Sequence, residues 1–174
     1  MKHIILMGFM GCGKSTIGYK LSYKLKKCLI DTDALIEQKE GMSISQIFAT
    51  KGEAYFRELE YACLKTLENE LDGRIISLGG GTPMREVNHS ILKQLGTIVY
   101  LKASPETIYE RTKHNNKRPL LQCEDPRARI EEFLTIRNPI YESLADVIVN
   151  VDHKEIHEVV NYLVEEVFNE NISH

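Results

Sequence analysis

The chain has 174 residues, 43% of them hydrophobic, with a net charge of -3 and a pI near 6.1. That length and apolar content suit one domain with a buried core, and the acid-leaning balance argues against a general nucleic-acid binder, which would carry a basic stripe. Cys12, Cys28, Cys63 and Cys123 include no close pair, so neither a zinc framework nor a disulfide pattern is expected, and a reducing, cytoplasmic setting fits best.

His3 to Met7 is a short apolar run suited to a buried strand. The start, Met1-Lys2 followed by Ile4-Ile5-Leu6-Met7, superficially resembles a secretory leader, but Gly11 and Gly13 interrupt it and no small-residue cleavage pattern follows. No later run approaches the ~18 apolar residues of a membrane span. Gly8-Phe9-Met10-Gly11-Cys12-Gly13-Lys14-Ser15-Thr16 then sets two glycines around four residues ahead of Lys-Ser, which is the pattern of a phosphate-cradling loop. Ile17 to Lys26 continues at helical period, so strand, loop and helix arrive in the order such a loop needs. Glycines let backbone N–H groups converge on phosphate oxygens, and a helix N-terminus adds partial positive charge. Lys14 would reach the terminal phosphates and the Ser15 hydroxyl would ligate Mg²⁺.

Cys28 to Ile30 reads as a second strand that exits at Asp31-Thr32-Asp33. Ala34 to Glu40 reads as a short helix stopped at Gly41. Ser43 with Gln46 makes a capping box for a helix ending near Gly52, and a longer helix is expected from Glu53 to Glu70. After a turn at Asp72-Gly73, Arg74 to Leu78 is a third strand that runs into Gly79-Gly80-Gly81. Arg85 to Leu95 is expected as a helix and Thr97 to Leu101 as a fourth strand. Ser104-Pro105 and Asp125-Pro126 each start a helix, and the polar stretch from His114 to Arg118 between them reads as an exposed crossing. Asn138-Pro139 should kink or break the later helix. Ala145 to Val151 gives a last strand and His153 to Phe168 a closing helix.

Strands alternating with helices imply a parallel sheet covered on both faces, with ligands at the carboxyl ends of the strands. That rule gathers the Gly8 loop, Asp31 with Asp33, and the three glycines on one rim. Asp31 and Asp33 stand two apart at a strand exit, so both carboxylates can serve one site, one at a Mg²⁺ shell and the other orienting an acceptor hydroxyl and taking its proton. The plainer reading makes Asp33 a helix cap. Three successive glycines cost roughly 2–3 kcal/mol beyond alanines, which a close backbone approach to a ligand explains better than a loose turn. Arg57 gains interest from Phe48 and Phe56, which suggest a pocket wall, Arg118 from its neighbour Pro119, and Arg137 from the Asn138-Pro139 break. His153 and His157, four apart without acidic or cysteine companions, read as a solvated helix face rather than a metal site.

These residues describe an ATP- and Mg²⁺-dependent phosphotransferase acting on a small anionic acceptor. Taken in order, Gly8 to Thr16, Asp31-Thr32-Asp33, Phe56-Arg57-x-x-Glu60, Gly79 to Gly81, Arg118-Pro119-Leu120-Leu121 and Arg137-x-x-x-Tyr141 closely resemble the shikimate kinase family. The resemblance covers about residues 3 to 151. It implies an α/β, three-layer P-loop kinase fold of the nucleoside-monophosphate-kinase type, with a five-stranded parallel sheet in the order 2-3-1-4-5. It also implies one domain over 1–174, with an acceptor-binding helical segment at about 33–61 and a lid at about 112–124.

By that resemblance Asp33 is the base and contacts the acceptor hydroxyls, while Arg57 and Arg137 hold the shikimate carboxylate and Gly79, Gly80 and Gly81 line its pocket. Gly11, Cys12, Gly13, Lys14, Ser15, Thr16 and Arg118 take ATP, with Lys14 and Arg118 serving catalysis, and Ser15 and Asp31 serve the Mg²⁺ shell. The implied partners are ATP and shikimate, with no nucleic acid, no membrane and a monomeric chain. The third strand ends Ser77-Leu78-Gly79 without an acidic residue, a departure from general phosphate-loop ATPases that the family shares. Around Val151 to Lys154, where the family contacts adenine, no specific match appears. A gluconate kinase or a non-catalytic nucleotide-binding module stays open as an alternative. The first would not be expected to combine the three glycines with Arg57 and Arg137, and the second has no need of a base together with a lid arginine.

Overall fold

A computed structural model describes residues 2–70, 72–114 and 123–168. Five strands, β1 (His3–Met7), β2 (Leu29–Asp31), β3 (Ile75–Ser77), β4 (Gly96–Lys102) and β5 (Val147–Asn150), form one parallel sheet in the order β2-β3-β1-β4-β5. Every residue of β1 is buried. Because alternate side chains point to opposite faces, both faces of the central strand are covered, as in a three-layer α/β arrangement.

The helices are α1 (Lys14–Leu25), α2 (Thr32–Glu40), α3 (Ile44–Leu67), α4 (His89–Leu95), α5 (Pro105–Thr112), α6 (Pro126–Leu144) and α7 (Ile156–Tyr162). Helix α1 packs on β1, β3 and α7, while α4 and α6 pack on β4. The expected break near Gly52 is present: its φ of 84° and ψ of 169° are non-helical, and they separate the two parts of α3. Ser43 and Gln46 make the expected capping box.

Three expectations are corrected. The helix expected from Arg85 begins as two 3₁₀ turns, Thr82–Met84 and Glu86–Asn88, and becomes α-helical only at His89. Pro139 does not break α6, which runs through it from Pro126 to Leu144. One missing backbone bond is outweighed by burial of Ile130, Leu134, Tyr141 and Leu144 along the same helix. The closing helix starts at Ile156, not His153: His153 has a φ of 56°, and Glu158 reaches back to the Glu155 N–H at 2.7 Å. Its last turn, Leu163–Val167, is a π turn.

Strand register positions the site. Asp31 pairs with Ser77 and Ser77 with Leu6, so the loops after β2, β3 and β1 leave the sheet side by side. The Leu78 N–H donates to the Leu6 carbonyl at 3.0 Å, extending the pairing to the start of the glycine run.

Candidate active site

The loop after β1 bends at Gly8, Gly11 and Gly13, whose φ angles of 152°, 79° and 103° lie where side chains are strained. It delivers Lys14 and Ser15 at the open N-terminus of α1, whose first turn carries no acid. Lys14 Nζ donates to the carbonyls of Gly8 at 2.7 Å and Phe9 at 3.1 Å, so its ammonium lies across the mouth of its own loop. Ser15 and Thr16 are exposed beside it, while Cys12 is buried and its N–H is spent on the Phe9 carbonyl.

The two acids after β2 have different surroundings. Asp31 is the N-cap of α2, its Oδ1 accepting from the N–H groups of Asp33 at 3.0 Å and Ala34 at 3.1 Å. The plainer reading of Asp33 as the cap therefore fails, and its carboxylate projects toward the glycine turn. Burial, then the negative charges of Asp31 and Glu60, push its pKa up to about 6 against the opposing pull of Lys14. A carboxylate tuned this way still ionises at neutral pH but accepts a proton more readily than an exposed one.

Each glycine of the turn after β3 leaves space that charged or polar groups use. A Cβ on Gly79 would lie 2.6 Å from Asp33 Oδ1, and one on Gly81 would lie 2.5 Å from Arg57 Nη1. At Gly80 the nearest groups are the Gly8 carbonyl at 3.4 Å and, at 3.6 Å, Arg137 Nη1 and the Tyr141 hydroxyl. The run thus brings Asp33, Arg57 and Arg137 around one turn. Tyr141, fully buried, donates its hydroxyl to the Gly80 carbonyl at 2.6 Å, and Thr32 Oγ1 accepts the Gly79 N–H at 3.0 Å.

Arg57 is held by two carboxylates: Nη1 donates to Glu60 Oε2 at 2.7 Å and Nη2 to Glu53 Oε1 at 3.0 Å. Glu60 is only 2% exposed, and its other oxygen accepts from Thr82 Oγ1 at 2.5 Å. A buried carboxylate with a partner on each oxygen is a fixed post, and it fixes the arginine's fork. Phe56 and Phe48 pack at 5.0 Å beside it, with the Arg57 guanidinium 5.5 Å from the Phe56 ring. Arg137 lies over the rings of Phe133 at 4.8 Å and Phe9 at 5.3 Å. Arg118, with most of the lid expected at 112–124, lies outside the described residues.

Sequence reasoning missed Arg111, whose Nη1 donates to the Cys12 carbonyl at 3.2 Å and which also reaches the Val151 carbonyl at 3.5 Å. It ties the phosphate loop to the end of β5. An arginine in the last turn of a helix carries no signal of such a role, since cations are ordinary there. Thr82 and Glu60 were half visible, because Arg57 and Glu60 stand at pairing distance on a helix while their hydroxyl partner comes from another loop.

The family model for shikimate kinase matches residues 10–168. A shikimate kinase of Thioalkalivibrio sulfidiphilus is 44% identical over 158 residues, 91% of this chain and 83% of that protein. One from Haemophilus influenzae is 39% identical over 171 residues, 98% of this chain and 94% of its own length. Among solved structures, a shikimate kinase from Acinetobacter baumannii in complex with shikimate superposes with a TM-score of 0.91 at 31% identity, covering 99% of this chain and 96% of that one. A gluconokinase from Sinorhizobium meliloti reaches a TM-score of 0.61 at 18% identity and shares the fold alone. Motifs, sheet order and these matches agree: the chain belongs to the shikimate kinase family.

Proposed function

We infer that this chain transfers the γ-phosphoryl group of ATP to the 3-hydroxyl of shikimate, giving ADP and 3-phosphoshikimate on the route to chorismate and the aromatic amino acids, and we propose the residues that do so. The observation that carries the assignment is the turn at Gly79–Gly81, around which two carboxylates, Asp33 and Glu60, and two guanidinium groups, Arg57 and Arg137, converge, with Glu60 already taken up by Arg57 and Thr82. Shikimate offers a carboxylate and neighbouring hydroxyls, the complementary set. Arg57 and Arg137 hold the carboxylate, with Gly79, Gly80 and Gly81 lining the pocket, and the bidentate fork of arginine suits that partner. Asp33 orients the 3-hydroxyl and takes its proton as the oxygen attacks phosphorus.

Phosphoryl transfer asks the protein mainly for positioning and charge stabilisation. The loop from Gly11 to Thr16 receives the ATP phosphates, Lys14 exchanges its loop carbonyls for phosphate oxygens, and Arg118 supplies a further cation to the transferring group. An ATP-using kinase needs a divalent cation, and Mg²⁺ supplies neutralisation of phosphate charge. Among the described residues no three His, Cys, Asp or Glu side chains cluster as a cation cage. Ser15, with its exposed hydroxyl, and Asp31, whose capping role uses only Oδ1, would hold the ion directly or through water, and the ion would neutralise phosphate charge there.

The segments at about 33–61 and 112–124 serve as acceptor-binding region and lid of a single domain spanning 1–174. The chain is proposed to act as a monomer. Among the described residues no helix is long and apolar enough to cross a membrane, and the four free cysteines support a reducing cytoplasm. The test is ADP release from ATP in the presence of shikimate, gluconate and nucleoside monophosphates in turn. Turnover with shikimate alone is expected; turnover with another acceptor and none with shikimate would overturn the assignment.

A further inference from the structure

A phosphate-cradling loop works through glycines and backbone N–H groups, yet Phe9 within it buries a whole aromatic ring, 2% exposed. That ring packs against Arg137 and α6. It lies 5.3 Å from the Arg137 guanidinium carbon and 6.0 Å from the Phe133 ring, tilted by 38°, while Phe133 lies 4.8 Å from the same carbon. The guanidinium therefore sits over a cleft between two ring faces, one from the phosphate loop and one from α6. Ring faces attract a cation, and flat guanidinium groups stack on them.

The backbone of the same residue belongs to the other substrate. The Phe9 carbonyl accepts from Lys14 Nζ and from the Cys12 N–H, and the neighbouring Gly8 carbonyl accepts from Lys14 while lying 3.4 Å from the Cβ position of Gly80. Lys14 has three donors, and two are committed to these carbonyls. The terminal phosphates of a nucleotide compete for that ammonium, so nucleotide binding changes the bonds on the two residues that abut Gly80 and Arg137.

We propose that Phe9 is a positioning residue which holds the Arg137 guanidinium and carries the state of the phosphate loop to the acceptor pocket, so that the two substrates bind interdependently through its ring. The proposal rests on the assignment of Arg137 to the shikimate carboxylate. Phe133 holds the same guanidinium but belongs to α6, so it should serve affinity without serving the coupling. That difference makes the pair separable.

Shikimate binding would be measured by calorimetry with and without a non-hydrolysable ATP analogue and Mg²⁺, in the unaltered chain and in Phe9→Leu, Phe133→Leu and Arg137→Ala. In the unaltered chain the analogue should shift the shikimate Kd by about fivefold or more, within the usual range of coupling between sites. Phe9→Leu should weaken shikimate by about 2- to 30-fold, bring that coupling factor close to one, and leave the analogue's own Kd within about twofold. Phe133→Leu should weaken shikimate to a similar degree and keep the factor. If Phe9→Leu fails to fold, Phe9→Met, close in volume and flexible, carries the same test. A normal coupling factor in the Phe9 variant, or none in the unaltered chain, overturns the proposal while a weakened Arg137→Ala upholds the site assignment. Unchanged shikimate binding in Arg137→Ala overturns both.

Discussion

The N–H of Asp33 donates to Oδ1 of Asp31 at 3.0 Å, and this bond assigns the cap of α2 to the first acid and leaves the second free to face the glycine turn. The freed carboxylate is buried beside other acids, and its pKa stands near 6 instead of 3.8. The first prediction follows from that site. Asp33→Asn keeps the side chain's size and removes its charge, so kcat should fall by about 10²–10⁴-fold, the usual contribution of a positioned base. In the unaltered enzyme kcat/KM should fall as pH drops below about 6. A loss under about tenfold in the variant would leave Asp33 as a positioning residue only.

The same shift makes a stability prediction of definite sign. A carboxyl whose folded pKa is raised holds its proton more tightly in the folded chain, so the contribution of Asp33 to stability is full below 3.8 and is lost as pH rises through about 6. Removing the charge removes that decline. Asp33→Asn should therefore be more stable than the parent at neutral pH, by on the order of 1–3 kcal/mol, and gain nothing by this route near about pH 3. Urea melts at the two pH values measure both; an equal gain at both would assign the effect to packing instead of charge.

Arg57→Lys should raise the shikimate KM by about 10- to 100-fold, the worth of a charge-assisted hydrogen bond that a fork makes and a point charge does not. The ATP KM should move little, because Arg57 is anchored to Glu53, Glu60 and the turn at Gly81, away from the phosphate loop. Initial-rate measurements varying each substrate separate the two. Equal rises in both constants would sink the assignment.

Lys14→Ala and Ser15→Ala should each lower kcat by about 10²-fold or more, through weaker phosphate stabilisation and weaker support for the cation. Lys14 makes its visible hydrogen bonds only within its own loop, to the Gly8 and Phe9 carbonyls and to Cys12 Sγ, so its removal should cost far less thermal stability than activity. Near-normal kcat at saturating ATP and Mg²⁺ in either variant would contradict these roles.

Much of this site could be read from the chain alone. The apolar run at His3–Met7 and the spacing from Gly8 to Ser15 are local signals, and both elements stand where they were expected. Pro139 does not end α6 because its effect is local while the decision was tertiary: Tyr141 buries its ring against Tyr100 at 5.1 Å, and Asn138 accepts the Tyr100 hydroxyl at 2.7 Å. Two anchors flank the proline and hold the helix through it. The start of α7 was misplaced for a related reason, since Asp152 spends its carboxylate on the Ser104 N–H at 2.9 Å, a partner 48 residues away. Arg111 was invisible because the carbonyls it meets belong to the phosphate loop and to the end of β5. The three glycines stood out as a run that a loose turn would not need, but sequence could not show which side chains crowd the vacated space.

That last point yields a test in which two glycines respond oppositely. Gly79 needs no unusual backbone, but an added Cβ would meet Asp33 Oδ1 at 2.6 Å, Thr82 Oγ1 at 3.1 Å and Glu60 Oε1 at 3.2 Å. Thr82 and Glu60 are buried and bonded to each other, so Asp33 is the group that must give way. A reacting group displaced by about 1 Å costs on the order of 10²-fold, and Gly79→Ala should lose about that much kcat/KM for shikimate while remaining folded. Gly41 is the counterpart: it ends α2 with a φ of 65° and has nothing within 4 Å of its Cβ position. Gly41→Ala should therefore cost about 1 kcal/mol of stability through the left-handed backbone alone and leave kcat/KM intact. Thermal melts and initial rates on the two variants complete the comparison. Full activity in Gly79→Ala would show that Asp33 swings aside at no cost, and that close packing against the glycine turn does not hold the base in place.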